Sequence, residues 1–65
     1  MLISVNGEKR EVAAQSLAAL LDELGYEAQK LATALNHEFV RERDRAIALL
    51  REGDSVEIVS PRQGG

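Results

Sequence analysis

The sequence of 65 residues contains no cysteine and no tryptophan, and it has a single histidine. The absence of cysteine excludes a disulfide scaffold, a thiol nucleophile and a thiolate metal site. One histidine cannot build a polyhistidine centre within one chain, so we expect no metal site. Aromatic residues make up only 3% of the chain, which is too few for a platform on which nucleic-acid bases stack.

Positive charge and long apolar runs are also scarce. Eight Lys and Arg stand against 11 Asp and Glu, and the net charge of −3 argues against nucleic-acid binding. No apolar run approaches the roughly 18 residues of a membrane span, and no signal peptide is visible. We therefore expect a cytoplasmic protein that binds neither nucleic acid nor membrane.

The short length allows one domain with a thin core. Such a domain has little material with which to enclose a pocket of about 300 Å³ or more. The spacing of serine, histidine and acidic residues favours no catalytic triad. His37 lies in a predicted turn, where a lone histidine is most often solvated or capping. These features disfavour an enzyme.

The first residues predict a β-hairpin. Residues 1–6 alternate apolar and polar side chains, which is the pattern of a strand with one buried face. Asn6 and Gly7 both tolerate the positive φ of a tight hairpin turn. The return strand, residues 8–12, is mostly charged and suits the edge of a sheet, with only Val12 pointing inward.

A short amphipathic helix follows the hairpin. Ser16 is typical of a helix N-cap, and Gly25 is typical of the left-handed residue that ends a helix. The leucines between them fall at helical spacing on one stripe: Leu17, Leu20, Leu21 and Leu24. We expect this helix to be stable only when the stripe is docked on a sheet, because leucine burial supplies most of its free energy.

The second half of the chain predicts a further hairpin and a last strand. Residues 31–36 fit a helix by composition, but the segment is short and ends in a turn at Asn36-His37, so we predict a strand. Residues 41–45 are predicted as a charged loop and residues 46–50 as one or two helical turns. Residues 55–60 form a last strand, with Val56 and Ile58 on one face. The predicted fold is α+β, with one main helix packed on one face of a sheet.

Two groups of residues are candidates for partner docking. The arginines of the charged loop, Arg41, Arg43 and Arg45, either form a solvated surface together with the acidic residues between them or bind an acidic partner. Phe39 and Val59 are candidate exposed apolar contacts, as is Leu2, although each is also a candidate for partial burial.

The chain ends in Gly64-Gly65, which by average glycine usage occurs by chance at roughly one chain in 200. A frayed end or a cloning scar also tolerates glycine. A terminal glycine, however, presents its carboxylate with no Cβ beside it, and it can enter a narrow channel. Residues 60–65 reach about 20 Å when extended, and Pro61 favours that geometry. We therefore predict a domain at residues 1–60 and a flexible tail at residues 61–65.

An ionised carboxylate is a poor electrophile, so the use of Gly65 as a carrier requires another enzyme to convert it to a mixed anhydride.

The sequence resembles the ubiquitin-like sulfur carriers, most closely those of thiamine biosynthesis. The segments that carry this resemblance lie along the whole chain: Ile3 to Gly7, Ser16 to Leu21, Ala34 to Val40, Gly53 to Val59, and Gly64-Gly65. Relatives commonly have proline at the position of Arg41 and often an aromatic residue near Arg45.

The resemblance implies a β-grasp (ubiquitin-like) fold with a mixed sheet, and a protein that is monomeric when free. It implies that an E1-like adenylating enzyme uses ATP and Mg²⁺ to activate Gly65, while Gly64 gives access to the partner's channel. Sulfur from a cysteine desulfurase-type donor then yields a thiocarboxylate, and thiazole synthase accepts the sulfur. The chain itself would bind no cofactor.

Other functions stay open at this stage. Related carriers serve molybdopterin synthesis and tRNA thiolation with the same tail chemistry. A plain β-grasp binding module would dock through its sheet and would not need the two terminal glycines.

Overall fold

The computed structural model describes residues 1–27 and 30–60 of the chain. In chain order the elements are β1 (Leu2–Val5), β2 (Glu8–Glu11), α1 (Leu17–Leu24), β3 (Ala32–Leu35), β4 (Glu38–Val40), a 3₁₀ turn (Glu42–Asp44) and β5 (Ser55–Val59). The predicted hairpin, helix, central strands and last strand are thus all confirmed.

Two tight turns connect the antiparallel pairs β1–β2 and β3–β4. Asn6 and Gly7 have φ values of 51° and 85°, and Asn36 and His37 have φ values of 51° and 72°. Positive φ at both central residues matches the right-handed twist of the strands that such a turn joins. Glycine adopts this geometry without cost and asparagine tolerates it, whereas His37 is strained there.

The strands form one mixed sheet in the order β2-β1-β5-β3-β4. The last strand in the sequence, β5, lies in the middle, parallel to β1 and antiparallel to β3. The charged strand β2 occupies an edge with all its residues exposed, as predicted. Because β1 and β5 are parallel, β5 ends at the same end of the sheet as the Asn6-Gly7 turn.

The helix α1 covers one face of this sheet. The Ser16 hydroxyl accepts a hydrogen bond of 3.1 Å from the Ala19 N–H, and Gly25 ends the helix with a φ of 83°. Both predicted caps are confirmed. The buried core joins α1 to the covered face of the sheet and consists of Ile3, Val5, Val12, Ala14, Leu17, Leu20, Leu21, Leu50, Val56 and Ile58.

The segment before β5 differs from the prediction. The short helical turn lies at Glu42–Asp44 rather than within residues 46–50. Residues 45–50 instead lie along the start of α1, where the carbonyls of Arg45 and Ala48 accept hydrogen bonds from the first helical N–H groups. Those N–H groups have no partner inside the helix, so the carbonyls of this segment supply the missing acceptors. Within residues 1–27 and 30–60, no helix is long and apolar enough to cross a membrane.

Candidate functional site

The face of the sheet opposite α1 is uncovered, and we call it the open face. Side chains alternate along each strand, so the buried Val56 and Ile58 place Ser55, Glu57 and Val59 of β5 on the open face. The register between strands then adds the outward residues of the others: Leu2, Ser4, Lys9, Glu11, Ala32, Ala34 and Phe39.

Part of the open face is apolar. Phe39 lies opposite Ala34, and Val59 lies opposite Ala32, so these four residues form a continuous surface that we call the apolar patch. Phe39 is 69% exposed and Val59 is 59% exposed. An exposed aromatic ring in a group of small apolar residues is typical of a surface that a partner covers.

The apolar patch lies beside the end of β5, from which the C-terminal residues continue. Val59 is the last residue of β5 and pairs with Ala32. Arg41 directly follows β4 in extended conformation, and by extension of the β3–β4 register it lies level with Ala32. Exposed cationic and apolar groups therefore lie on the β3–β4 side of the point where the chain leaves the sheet.

Two of the three arginines predicted to dock a partner are available for that role. Arg41 and Arg43 are exposed, and together with Glu42 between them they line a shallow, open depression of the surface. The side chain of Arg41 is 58% exposed, and its Nε lies 3.9 Å from the Asp44 carboxylate. An exposed pair at this distance holds the arginine weakly, so its guanidinium can turn toward a partner.

The docking role predicted for Arg45 is wrong, because only 3% of the residue is exposed. Its Nε donates to the Thr33 hydroxyl at 3.1 Å, and its Nη2 donates to the Leu31 carbonyl at 2.7 Å. Thr33 in turn donates to the Val40 carbonyl at 2.8 Å. Arg45 therefore fastens the loop after β4 to β3 from inside the domain, and it cannot contact a partner's surface.

Two exposed apolar residues were not singled out from the sequence. Ile47 is 75% exposed and Leu49 is 66% exposed, and both belong to the segment that lies along the start of α1. Their exposure follows from the backbone docking of this segment, which no sequence pattern signals. Leu2 is 39% exposed on β1, and His37 is exposed in its turn.

The predicted carrier residues Gly64 and Gly65 lie outside the described residues. Within residues 1–27 and 30–60, no group of three or more His, Asp or Glu side chains could hold a metal ion. Near the β1–β2 turn, a cleft of about 180 Å³ is lined by residues of the hairpin and of the end of α1, among them Arg10 and Tyr26. Its volume is below the roughly 300 Å³ of a typical small-molecule site.

Exposed apolar and cationic side chains of the described residues therefore lie together on the open face, beside the end of β5. A mixed sheet of five strands with one helix, whose central last strand leads to the diglycine end, is a ubiquitin-like β-grasp domain. The chain belongs to the ThiS family, whose model matches residues 3–65.

Two relatives of known name agree with this membership. The chain is 36% identical to the sulfur carrier protein ThiS of Thermus thermophilus over 64 residues, covering 98% of this chain and all of that protein. It is 38% identical over 66 aligned positions to a thiazole synthase of Paramagnetospirillum magneticum, where the match covers the whole chain but only 20% of that protein.

Solved structures of a thiamine biosynthesis protein (ThiS) from Geobacter metallireducens are similar along the whole chain. The crystal structure superposes with a TM-score of 0.84 at 29% identity and is fully covered. The solution structure gives a TM-score of 0.81 at 29% identity, with 88% of that chain covered. The predicted β-grasp fold is thereby confirmed.

Proposed function

We propose that this sulfur carrier of thiamine biosynthesis bears its sulfur as a thiocarboxylate on Gly65. The observation that carries the proposal is the match of the ThiS family over residues 3–65, which extends through both terminal glycines. The fold supports it, because β5 is held on both sides in the middle of the sheet and leads directly to that end. The chain is the object of the chemistry and relies on other proteins for catalysis.

The loading chemistry has two stages. First, an oxygen of the Gly65 carboxylate attacks the α-phosphate of ATP, which forms an acyl-adenylate and releases pyrophosphate. Next, a persulfide sulfur attacks the carbonyl carbon and releases AMP, and a thiol then cleaves the acyl disulfide to leave the thiocarboxylate. We propose that an E1-like adenylating enzyme supplies the ATP and Mg²⁺ site and that a cysteine desulfurase-type donor supplies the persulfide.

The open face gives these partners a surface to bind. Phe39 and Val59 offer apolar area that is exposed in the free chain, and Arg41 and Arg43 add positive charge beside it. Apolar centres with charged rims are typical of protein interfaces, and charge at the rim steers the encounter with an acidic partner. We propose that the activating enzyme and the acceptor dock on this face in turn.

Thiazole synthase is the proposed acceptor of the sulfur. The P. magneticum protein of that name contains a segment 38% identical to this chain. That protein joins a carrier-like segment to a thiazole synthase in one chain. Joining of this kind supports the proposal that the two cooperate when they are separate proteins. We place the reaction in the cytoplasm, where ATP is available to the activating enzyme.

Intact-mass spectrometry tests the proposal. The chain is incubated with MgATP, a thiol, and an activating enzyme and a sulfur donor that both come from one organism. We expect the mass increase that corresponds to the replacement of one oxygen by sulfur, located in a C-terminal peptide.

A chain without Gly65 is the matched control, and circular dichroism establishes whether it keeps the fold. It should gain no sulfur, because the deletion moves the carboxylate by one residue. An unchanged mass for the wild-type chain, or equal loading of the shortened chain, would contradict the proposal.

A further inference from the structure

The central strand β5 is held at its two ends by the side chains of two asparagines, one from each tight turn. Asn6 belongs to the β1–β2 turn and bonds to Ile58 near the end of β5. Asn36 belongs to the β3–β4 turn and bonds to Ser55 at the start of β5. The two residues share a φ of 51°.

Asn6 takes over where the main-chain pairing between β1 and β5 stops. That pairing joins Ser4 to Ser55 and Val5 to Val56, and the Asn6 N–H then donates to the Val56 carbonyl at 2.9 Å. At Asn6 the chain turns away into β2. The next groups of β5 that point to this side belong to Ile58, two residues further on.

The side-chain amide of Asn6 makes the hydrogen bonds to Ile58 that a longer β1 would make with its main chain. Its Oδ1 accepts a hydrogen bond of 2.8 Å from the Ile58 N–H, and its Nδ2 donates to the Ile58 carbonyl at 3.2 Å. On the other side of β5, Val59 is paired with Ala32. The chain is therefore fixed from both sides at the last residues before the tail begins, and on the β1 side that restraint comes from one side chain.

We propose that Asn6 is a positioning residue for the loading of Gly65. By holding the Ile58 backbone, it fixes the place and direction in which the tail leaves the domain while the open face is docked on the activating enzyme. This inference rests on the proposed carrier function. If the end of β5 points in another direction, the terminal carboxylate reaches the reacting position in a smaller fraction of the docked complexes.

Asn36 offers a matched control within the same chain. Its Oδ1 accepts a hydrogen bond of 2.9 Å from the Ser55 N–H, and its Nδ2 donates to the Asp54 carboxylate at 3.1 Å. It thus also makes two hydrogen bonds at an end of β5, but at the end remote from the tail. Glycine at either position keeps the positive φ and removes only the amide.

The experiment compares the wild-type chain with Asn6→Gly and Asn36→Gly in the adenylation assay, with the activating enzyme and MgATP. We expect kcat to fall at least about fivefold in Asn6→Gly, while KM stays within about twofold because the docking face is unchanged. Asn36→Gly should stay within about twofold of the wild type in both constants. A general loss of stability would instead lower kcat in both variants alike.

Amide hydrogen exchange on the same three chains tests the local cause. Exchange of the Ile58 N–H should become about tenfold or more faster in Asn6→Gly and stay unchanged in Asn36→Gly. Equal kcat values for the two variants, or an Ile58 amide that stays protected in Asn6→Gly, would overturn the positioning role. Failure of the wild-type chain to be adenylated would instead overturn the proposed function itself.

Discussion

Replacement of Arg45 by alanine should be among the most damaging single changes outside the apolar core. The residue is 3% exposed, and its guanidinium bonds to the Leu31 carbonyl and to the Thr33 hydroxyl. In Arg45→Ala the Leu31 carbonyl loses this donor, whereas the Thr33 hydroxyl keeps its bond to the Val40 carbonyl. The change also removes the apolar stem of the side chain from the interior.

The magnitude follows from opposing contributions. Each hydrogen bond from a charged donor contributes about 1.5–3 kcal/mol, and each buried methylene contributes about 0.8 kcal/mol. Against this, the variant no longer has to desolvate a cation, which costs several kcal/mol in the wild type. We expect a net loss of about 2–4 kcal/mol, from a total that for a chain of this length is about 3–10 kcal/mol.

Urea and thermal unfolding measure this loss. For a small domain it corresponds to a fall in Tm of roughly 10–25 °C. Arg41→Ala is the control, because Arg41 has the same chemistry on the surface, with a side chain 58% exposed. That variant should lose less than about 0.5 kcal/mol. If Arg45→Ala unfolds at the same urea concentration as Arg41→Ala, the structural role assigned to the buried guanidinium is refuted.

Two further predictions concern the strained turn and the open face. His37→Gly should raise the free energy of unfolding by about 0.5 kcal/mol, because relief of a left-handed φ of 72° outweighs the extra freedom of glycine in the unfolded chain; a lower urea midpoint would contradict this. Phe39→Ala should weaken binding to the activating enzyme about tenfold in calorimetry with little loss of stability. Ile47→Ala, which changes a comparably exposed side chain beside α1, should leave binding unchanged. Equal weakening by both would contradict the assignment of docking to the open face.

Much of the fold could be predicted from the sequence, because it depends on the backbone preferences of a few residues. The Asn6-Gly7 pair, the Ser16 cap and the Gly25 end each depend on the backbone preference of one or two residues, and the structure places all three as predicted. Alternation of apolar residues likewise identified Val56 and Ile58 as the buried face of β5. The central place of β5 was not predicted, because strand order depends on contacts between distant segments.

The errors of prediction fall in the segment between β4 and β5. Arg45 stands in a run of charged residues, and only the three-dimensional approach of Thr33 and Leu31 gives its guanidinium buried partners. The sequence predicts a helical turn that includes Ile47, but the neighbouring carbonyls of Arg45 and Ala48 bond to the start of α1, and the Ile47 side chain is exposed. In both cases hydrogen bonds between remote segments outweigh the local preference.

The central position of β5 also has a consequence for biosynthesis of the protein. Of the five strands in the described residues, the one that joins the two hairpins into one sheet is translated last, and its contact with Asn6 spans 52 residues. Folding of the whole sheet must therefore wait until β5 has been translated and has left the ribosome. A nascent chain interrupted before β5 would lack both the assembled open face and the two glycines, so we expect it not to compete with longer chains for the proposed activating enzyme.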